Sequence, residues 1–154
     1  MRILITGTSQ GIGKAIAIKF LETSKYNIVY GIDIKDGTIE HKNYYHYKAD
    51  VSKKEKLPSI PHMFDIVINN AGIQNGGDYN GDDIDVNLRG TINITETYAF
   101  NPAIKSVLMI GSASGHTGAE FPEYSASKGG VLAYTKNVAI RLAKEYKATC
   151  NSLD

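Results

Sequence analysis

The chain is short of every feature that would place it outside the cell, in a membrane or on nucleic acid. Cys150 is the only cysteine, so an internal disulfide is excluded and a reducing compartment suits the chain. The plain reading of Cys150 is a buried strand residue. No apolar run reaches membrane length. Met1-Arg2 leads into Ile3-Leu4-Ile5, which stops at Thr6-Gly7, too short for a signal-peptide core or for a span of about 20 residues. The expected address is the cytoplasm, without a membrane partner. An excess of one charge is missing as well: 17 Lys and Arg stand against 16 Asp and Glu, a formal net charge of +1, so no nucleic-acid partner is expected. The run Ser52-Lys53-Lys54-Glu55-Lys56 reads as a solvated face. With four His and no clustered ligand spacing, no catalytic metal is expected. Repeats, low-complexity segments and linkers are also absent, and 154 residues at 42% hydrophobic suit one domain, 1–154, with its own core.

What is present is an alternation of short β-branched runs with longer segments of helical period, the pattern of βαβ units feeding a parallel sheet. Strands are predicted near 2–6, 27–32, 44–48, 65–69, 105–110 and 148–152. A helix over about 11–24 follows from Ile12, Ala15, Ile16, Lys19 and Phe20 at helical spacing, with Ile16 and Phe20 turned to the sheet. Pro58 and Pro61 limit the third crossover to a turn or two around 52–57. Two longer helices are predicted near 81–99 and 123–147, the second opened by Pro122. Its stripe Val131, Thr135, Val138 and Leu142 is widened by Leu132, Ala139 and Ala143. Gly129-Gly130 inside that helix costs about 1 kcal/mol per glycine relative to Ala and points to close approach by another backbone or a cofactor. A merely tolerated pair is the alternative.

Between the first strand and first helix lies Thr6-Gly7-Thr8-Ser9-Gln10-Gly11-Ile12-Gly13. A turn at this place can lay a pyrophosphate on unpaired backbone N–H groups at the positive helix end, provided side chains do not block the approach. Asp33 follows twenty residues beyond Gly13, at the end of the second strand. A carboxylate there can accept hydrogen bonds from adenosine ribose hydroxyls. The alternative is a turn residue within Asp33-Ile34-Lys35-Asp36-Gly37.

With this glycine spacing and four further motifs in order, the chain resembles the short-chain dehydrogenase/reductase family, classical type. Asp50-Val51 matches the family's adenine-pocket pair, although from chemistry alone Asp50 caps the following turn nearly as well. Asn69-Asn70-Ala71-Gly72 matches the family's Asn-Asn-Ala-Gly beside the cofactor cleft. Asn87-Leu88-Arg89-Gly90 and Gly111-Ser112 match the catalytic Asn and Ser segments, and Tyr124-Ser125-Ala126-Ser127-Lys128 the catalytic Tyr and Lys. The resemblance implies a Rossmann-like α/β fold, a doubly wound parallel sheet in three layers. It implies cofactor contacts from Gly7, Ser9, Gln10, Gly11, Ile12, Gly13, Asp33, Asp50, Val51, Asn70, Ala71, Gly72, Tyr124 and Lys128. It further implies that Ser112 hydrogen-bonds the substrate oxygen, that Lys128 also holds the nicotinamide ribose, and that Asn87 anchors a water relaying protons to Lys128. Read singly, Ser112 is equally a turn residue, and Asn87 a polar residue on the solvent face of a helix.

Two Tyr-x-x-x-Lys pairs occur among ten tyrosines, where composition alone predicts about one, so context decides between them. Tyr44 and Lys48 fall in a predicted strand, where four residues span roughly 13 Å. That pair is read as coincidence, and Tyr44→Phe is expected to be nearly silent. Tyr124 and Lys128 open a predicted helix, where an i, i+4 pair shares one face. A lysine ammonium within about 4 Å favours a phenolate by up to about 4 kcal/mol at an effective dielectric near 20, part of it offset by desolvation. Such a phenol can exchange a proton with an alcohol or carbonyl oxygen.

Resembling proteins usually run longer, with a segment that covers substrate and a last strand beyond the stretch Ala148-Thr149-Cys150-Asn151-Ser152. The expectation at this stage is a chain lacking both, either a truncated form or an unusually short member with an open site. Three classes of function stay in view. The intact Ser112, Tyr124 and Lys128 favour an alcohol/carbonyl oxidoreductase acting on a small molecule with NAD, NADP being disfavoured by Asp33. A non-catalytic dinucleotide-binding regulator and a dimerisation module are the alternatives. A homodimer or homotetramer through the two long helices is expected from the resemblance. Ile73-Gln74-Asn75-Gly76-Gly77-Asp78-Tyr79 and His116-Thr117-Gly118-Ala119-Glu120-Phe121 are the candidate substrate loops, with His116 read chiefly as a solvated residue.

Overall fold

The computed structural model describes residues 1–154. Strand β1 (Arg2–Thr6) is followed by helix α1 (Gly11–Thr23), strands β2 (Ile28–Asp33) and β3 (Tyr44–Lys48), a single tight turn at Lys54–Lys56 and strand β4 (Ile66–Asn69). The next helix opens in wide π-type turns over Ile84–Gly90 and tightens into α2 (Thr91–Tyr98). Strand β5 (Ser106–Ile110), the short α3 (Ser114–Thr117), the long α4 (Pro122–Tyr146) and strand β6 (Thr149–Leu153) complete the chain. No predicted strand boundary is displaced by more than one residue.

All six strands form one parallel sheet in the order β3-β2-β1-β4-β5-β6. The chain works outward from β1 in one direction and then returns to continue outward from β4. Connections leaving β1 and β4 therefore diverge, and a crevice opens at the carboxyl ends of these two strands, where doubly wound sheets take ligands.

Both faces of the sheet are covered, which is why β1 reads as a continuous apolar run rather than an alternating one. Its Ile3 and Ile5 join Val29, Ile68, Ala17 and Leu21 on the α1 side. Leu4 points the other way, with Ile32, Val67, Val107 and Met109, against Ile94, Val131, Val138 and Leu142 from α2 and α4. Each such side chain, once fully buried, contributes about 1.5–3 kcal/mol. Cys150 lies in β6 within the same layer, where burial pushes its thiol up to about 12.

Helix α1 meets the sheet at a different angle from the one its periodicity suggests. Gly13, Ala17 and Leu21 form the buried line, Ile16 and Phe20 pack at its flank, and Ile12 is exposed. The cause is close packing: a Cβ on Gly13 would run into the Gly7 carbonyl, so the helix start lies against the turn and small residues take the inner line. In α4 the stripe Val131, Thr135, Val138 and Leu142 is buried as expected, whereas Ala143 is exposed. The Gly129-Gly130 pair also finds its reason here. A Cβ on Gly115 would lie 2.8 Å from the Lys128 carbonyl carbon, and one on Gly130 would lie 2.6 Å from a Leu88 methyl. Close approach is thus made by this chain's own α3 and π-type turns.

Candidate active site

The glycine turn and the start of α1 make a cradle for an anion. Gln10, the residue before the helix, is extended, its side chain caps no backbone N–H, and no acidic residue stands in the first turn. The positive end of a 13-residue helix is therefore uncompensated from within the chain. Gly11 has φ +60°, and a Cβ built on it would meet open space. A pyrophosphate fits this cradle.

Asp33, 8% exposed, closes one side of the turn. Its Oδ2 accepts from Ser9 N–H at 2.9 Å, and its Oδ1 from Lys35 N–H at 2.9 Å. The Lys35 ammonium donates to Gln10 Oε1 at 2.9 Å. Across the switch point, Asn70 ties β4 to β1: its amide donates to the carbonyls of Thr6 at 3.0 Å and Gly7 at 3.2 Å. The backbone N–H groups of Asn70 and Ala71 both donate to Thr6 Oγ1 at 3.0 Å. Asn69 lies beneath, donating to Thr95 Oγ1 at 2.9 Å, with its Oδ1 buried and unpartnered. Asp50 caps its own turn, accepting from Ser52 N–H at 2.9 Å and Ser52 Oγ at 2.7 Å. Val51 is buried against Gly90, where a Cβ would collide with it.

Asn87 and Lys128 come together beside Gly72 near the carboxyl ends of β4 and β5, with Tyr124 one turn before Lys128 on α4 and Ser112 two residues beyond the end of β5. Asn87 lies in the π-type turns and is 1% exposed, so the solvent-face reading of it fails. Its Oδ1 accepts from Ile73 N–H at 2.7 Å, and its amide donates to the Ile73 carbonyl at 2.8 Å and to Ser127 Oγ at 3.1 Å. Ser127 in turn donates to the Tyr124 carbonyl at 2.7 Å, so Asn87 holds both the strand-end loop and the first turn of α4. Sequence reasoning passed over Ser127. Its signal was its place just before Lys128, on the inner face of the helix.

Lys128 is 6% exposed and donates to the Ile110 carbonyl at 2.8 Å. Burial pushes its ammonium below the usual lysine range, opposed in part by the Asp154 carboxylate. Nζ lies 5.9 Å from the Tyr124 ring centroid. A Cβ on Gly72 would lie 3.2 Å from Asn87 Oδ1 and 3.6 Å from Lys128 Nζ, so a bare glycine keeps room beside both. Ser112 Oγ shares a hydrogen bond with Ser114 Oγ at 2.8 Å. His116 is exposed and pairs with Asp154 at 2.8 Å.

The other Tyr-x-x-x-Lys pair separates as its strand placement requires. Lys48 turns to Asp36 at 2.9 Å. Tyr44 is nevertheless far from idle: it is buried, and its hydroxyl lies 2.8 Å from Thr8 Oγ1 inside the glycine turn. Tyr44→Phe cannot serve as a silent control. The strand places Tyr44 opposite Val29 on the buried face, a contact between distant segments that the spacing to Lys48 says nothing about.

Comparison with known proteins agrees with this fold. The family model described as short chain dehydrogenase matches residues 1–153. An uncharacterized oxidoreductase of Schizosaccharomyces pombe is 32% identical over 158 residues, covering 90% of this chain and 60% of that protein. The 3-oxoacyl-acyl-carrier-protein reductase FabG of Buchnera aphidicola is 32% identical over 171 residues, covering 92% of this chain and 67% of the relative. Among solved structures, a short chain dehydrogenase family protein from Francisella tularensis superposes with a TM-score of 0.82 at 28% identity, over 98% of this chain and 67% of that one. A 4-hydroxyisoleucine dehydrogenase complexed with NADH gives 0.82 at 27% identity, over 98% and 71%. The chain thus spans less than two thirds of the length of the fission-yeast relative.

Proposed function

The chain belongs to the short-chain dehydrogenase family, and on that premise we propose that it interconverts an alcohol and a carbonyl on a small molecule, with Tyr124 as general acid/base and NAD(H) as cofactor. The observation that carries this reading is the convergence of Asn87, Gly72 and Lys128 beside Tyr124 at the switch point, next to an uncapped helix start that suits a pyrophosphate. The cofactor supplies or accepts the hydride when bound.

Gly11 opens to the dinucleotide backbone while Gly7 and Gly13 let the turn pack closely, and Gln10 and Ile12 present N–H groups beside the Ser9 side chain. Asp33 takes the ribose hydroxyls. Asp50 and Val51 border the adenine, and Asn70, Ala71 and Gly72 line the path toward the nicotinamide. At the reacting end Ser112 Oγ hydrogen-bonds the substrate oxygen, and Tyr124 gives that oxygen a proton or takes one from it. The Lys128 ammonium, 5.9 Å from the centre of the Tyr124 ring, places a positive charge on the face of α4 that the phenol shares. Its burial limits screening by water, while the Asp154 carboxylate opposes its field. Asn87 positions the loop of Gly72 and the turn of Tyr124, and its Oδ1 retains a lone pair for a water leading to Lys128. The long helices pair with symmetry mates in a homodimer or homotetramer.

Tyr124→Phe tests the assignment. Turnover on a panel of carbonyl substrates with NADH should fall at least about a thousandfold, in line with removal of a general acid and its hydrogen bond. NADH affinity, read by fluorescence titration, should stay within about twofold, because the glycine turn and Asp33 hold the other end of the cofactor. Wild-type turnover in this variant would overturn the mechanism even with NADH bound. Lys128→Ala should damage both readouts.

A further inference from the structure

The one contact between the edge of the sheet and the glycine turn is a chain of hydrogen bonds that nothing in the reaction described above uses. Thr8 Oγ1 lies 2.8 Å from the Tyr44 hydroxyl, that hydroxyl 3.0 Å from His46 Nδ1, and His46 Nε2 2.9 Å from the Lys35 carbonyl. Two glycines make room for it. A Cβ on Gly31 would collide with both the Tyr44 hydroxyl and Thr8 Oγ1, and one on Gly37 would lie 2.8 Å from the His46 ring.

The direction of the chain follows from its ends. A carbonyl only accepts, so His46 Nε2 donates to Lys35. In a neutral imidazole Nδ1 then accepts. The Tyr44 hydroxyl therefore donates to Nδ1, and Thr8 Oγ1 donates to Tyr44. Each bond also ends on a segment already assigned to the adenosine half of the dinucleotide. Thr8 precedes Ser9, whose N–H holds Asp33, and Lys35 holds the other Asp33 oxygen through its own N–H. The hydroxyl of Thr38 closes the same loop onto the Ser9 carbonyl at 2.7 Å.

We propose that Tyr44 and His46 are positioning residues for the adenosine end of the dinucleotide site, and that a proton on His46 weakens cofactor binding by reversing this chain. The inference rests on the dinucleotide reading above. With both ring nitrogens donating, Nδ1 gives its hydrogen to Tyr44, and Tyr44 must give its own to Thr8. The Thr8 hydroxyl is wholly buried and has Tyr44 as its one hydrogen-bond partner, so its hydrogen is left without an acceptor. A stranded buried donor disfavours the ordered turn. The charged group facing His46 is Asp36 on the loop after β2, paired with Lys48 of β3, with Asp33 beyond Tyr44, while the Lys35 ammonium is held by Gln10. Asp36 is paired with Lys48, and neither reaches the Thr8 hydroxyl, whose one hydrogen-bond partner is Tyr44.

The test is calorimetric titration of ADP-ribose, which carries the adenosine half alone, into wild type, Tyr44→Phe and His46→Gln between pH 5.5 and 8. Wild-type affinity should fall about tenfold toward the acid end, across the range in which imidazoles gain a proton. In Tyr44→Phe it should be about tenfold weaker than wild type at pH 7.5 and flat with pH, since the relay is cut. His46→Gln keeps an amide that can donate to Lys35 and accept from Tyr44 but carries no proton switch, so its affinity should be flat with pH. A long-range nitrogen–proton NMR spectrum of the unliganded protein should show His46 as the Nε2–H tautomer, a readout independent of ligand and of variant folding. The same pH slope in all three proteins, or the Nδ1–H tautomer, would overturn the inference while leaving dinucleotide binding intact. Failure of wild type to bind NADH, NADPH and ADP-ribose at any pH would overturn the dinucleotide reading and this inference with it.

Discussion

At the scale of single residues, Asp33 holds the glycine turn and, in the proposed reading, also recognises the ribose. Both oxygens already accept a backbone N–H, from Ser9 and Lys35, yet each keeps lone pairs for the ribose hydroxyls. A 2′-phosphate would meet that negative charge, and the nearest cation of the loop, Lys35, is held by Gln10. NADH should therefore bind at least about tenfold tighter than NADPH, and Asp33→Asn should narrow that ratio while weakening NADH. Dissociation constants for both cofactors decide the matter, and tighter NADPH binding by wild type would overturn the NAD assignment. Asp33 and Lys128 were legible in the sequence because their spacing to a glycine turn and to a tyrosine carries chemistry. Thr8, Tyr44 and Ser127 were not, since each acts through a partner remote in the chain.

At the scale of elements, the helix carrying Asn87 departs from a regular α-helix. Its π-type turns over Ile84–Gly90 change which way Asn87 faces, and such turns recur at functional sites because they reorient a side chain within a packed helix. Periodicity alone showed only a helix. The partner element, α4, is clamped to α2 by Arg141, which grips Glu96 through two hydrogen bonds at 2.7 and 2.9 Å and stacks on Phe100 at 4.0 Å. Tyr134 donates to the same carboxylate at 2.7 Å. The Arg141 hydrogen bonds, against some desolvation, hold the Glu96 carboxyl below its usual range. A depressed carboxyl contributes stability above its unfolded value, and that contribution disappears as pH falls through the folded one. Arg141→Ala should lower stability by about 1 kcal/mol at pH 7, the pair being partly exposed. The gap from wild type should narrow in strong acid, once Glu96 is protonated. Urea melts at both pH values measure this, and a gap that does not change with pH would show that lost packing on Phe100 is the whole effect.

At the scale of the molecule, no helix is long and apolar enough to cross a membrane, and the sheet accounts for most of the apolar face of α4. What it leaves uncovered is narrower than the sequence suggested: Ile140 is 71% exposed, with Ala143 beside it on the outer side of the helix. Gly129-Gly130 drops out as a motive for assembly, because Gly115 and Leu88 fill that space from within the chain. The homo-oligomer expected from the family then depends on the outer faces of α2 and α4. Sedimentation at micromolar concentration should show a dimer or tetramer, and Ile140→Glu should shift it to monomer. A wild-type monomer under those conditions would count against the assembly.

The order of strands and helices along the chain, and the places on it of the glycine turn, Asp33, Tyr124 and Lys128, were determined by the sequence alone, because each rests on local periodicity or on spacing within one element or one turn. Only the tertiary structure decided which small residues line the inner face of α1, that Asn87 is buried and bonded to Ile73 and Ser127, and that Tyr44 belongs to the glycine turn instead of to Lys48. Those outcomes depend on which distant segments a parallel sheet brings side by side. Local spacing carries no information about that until the strand order is known.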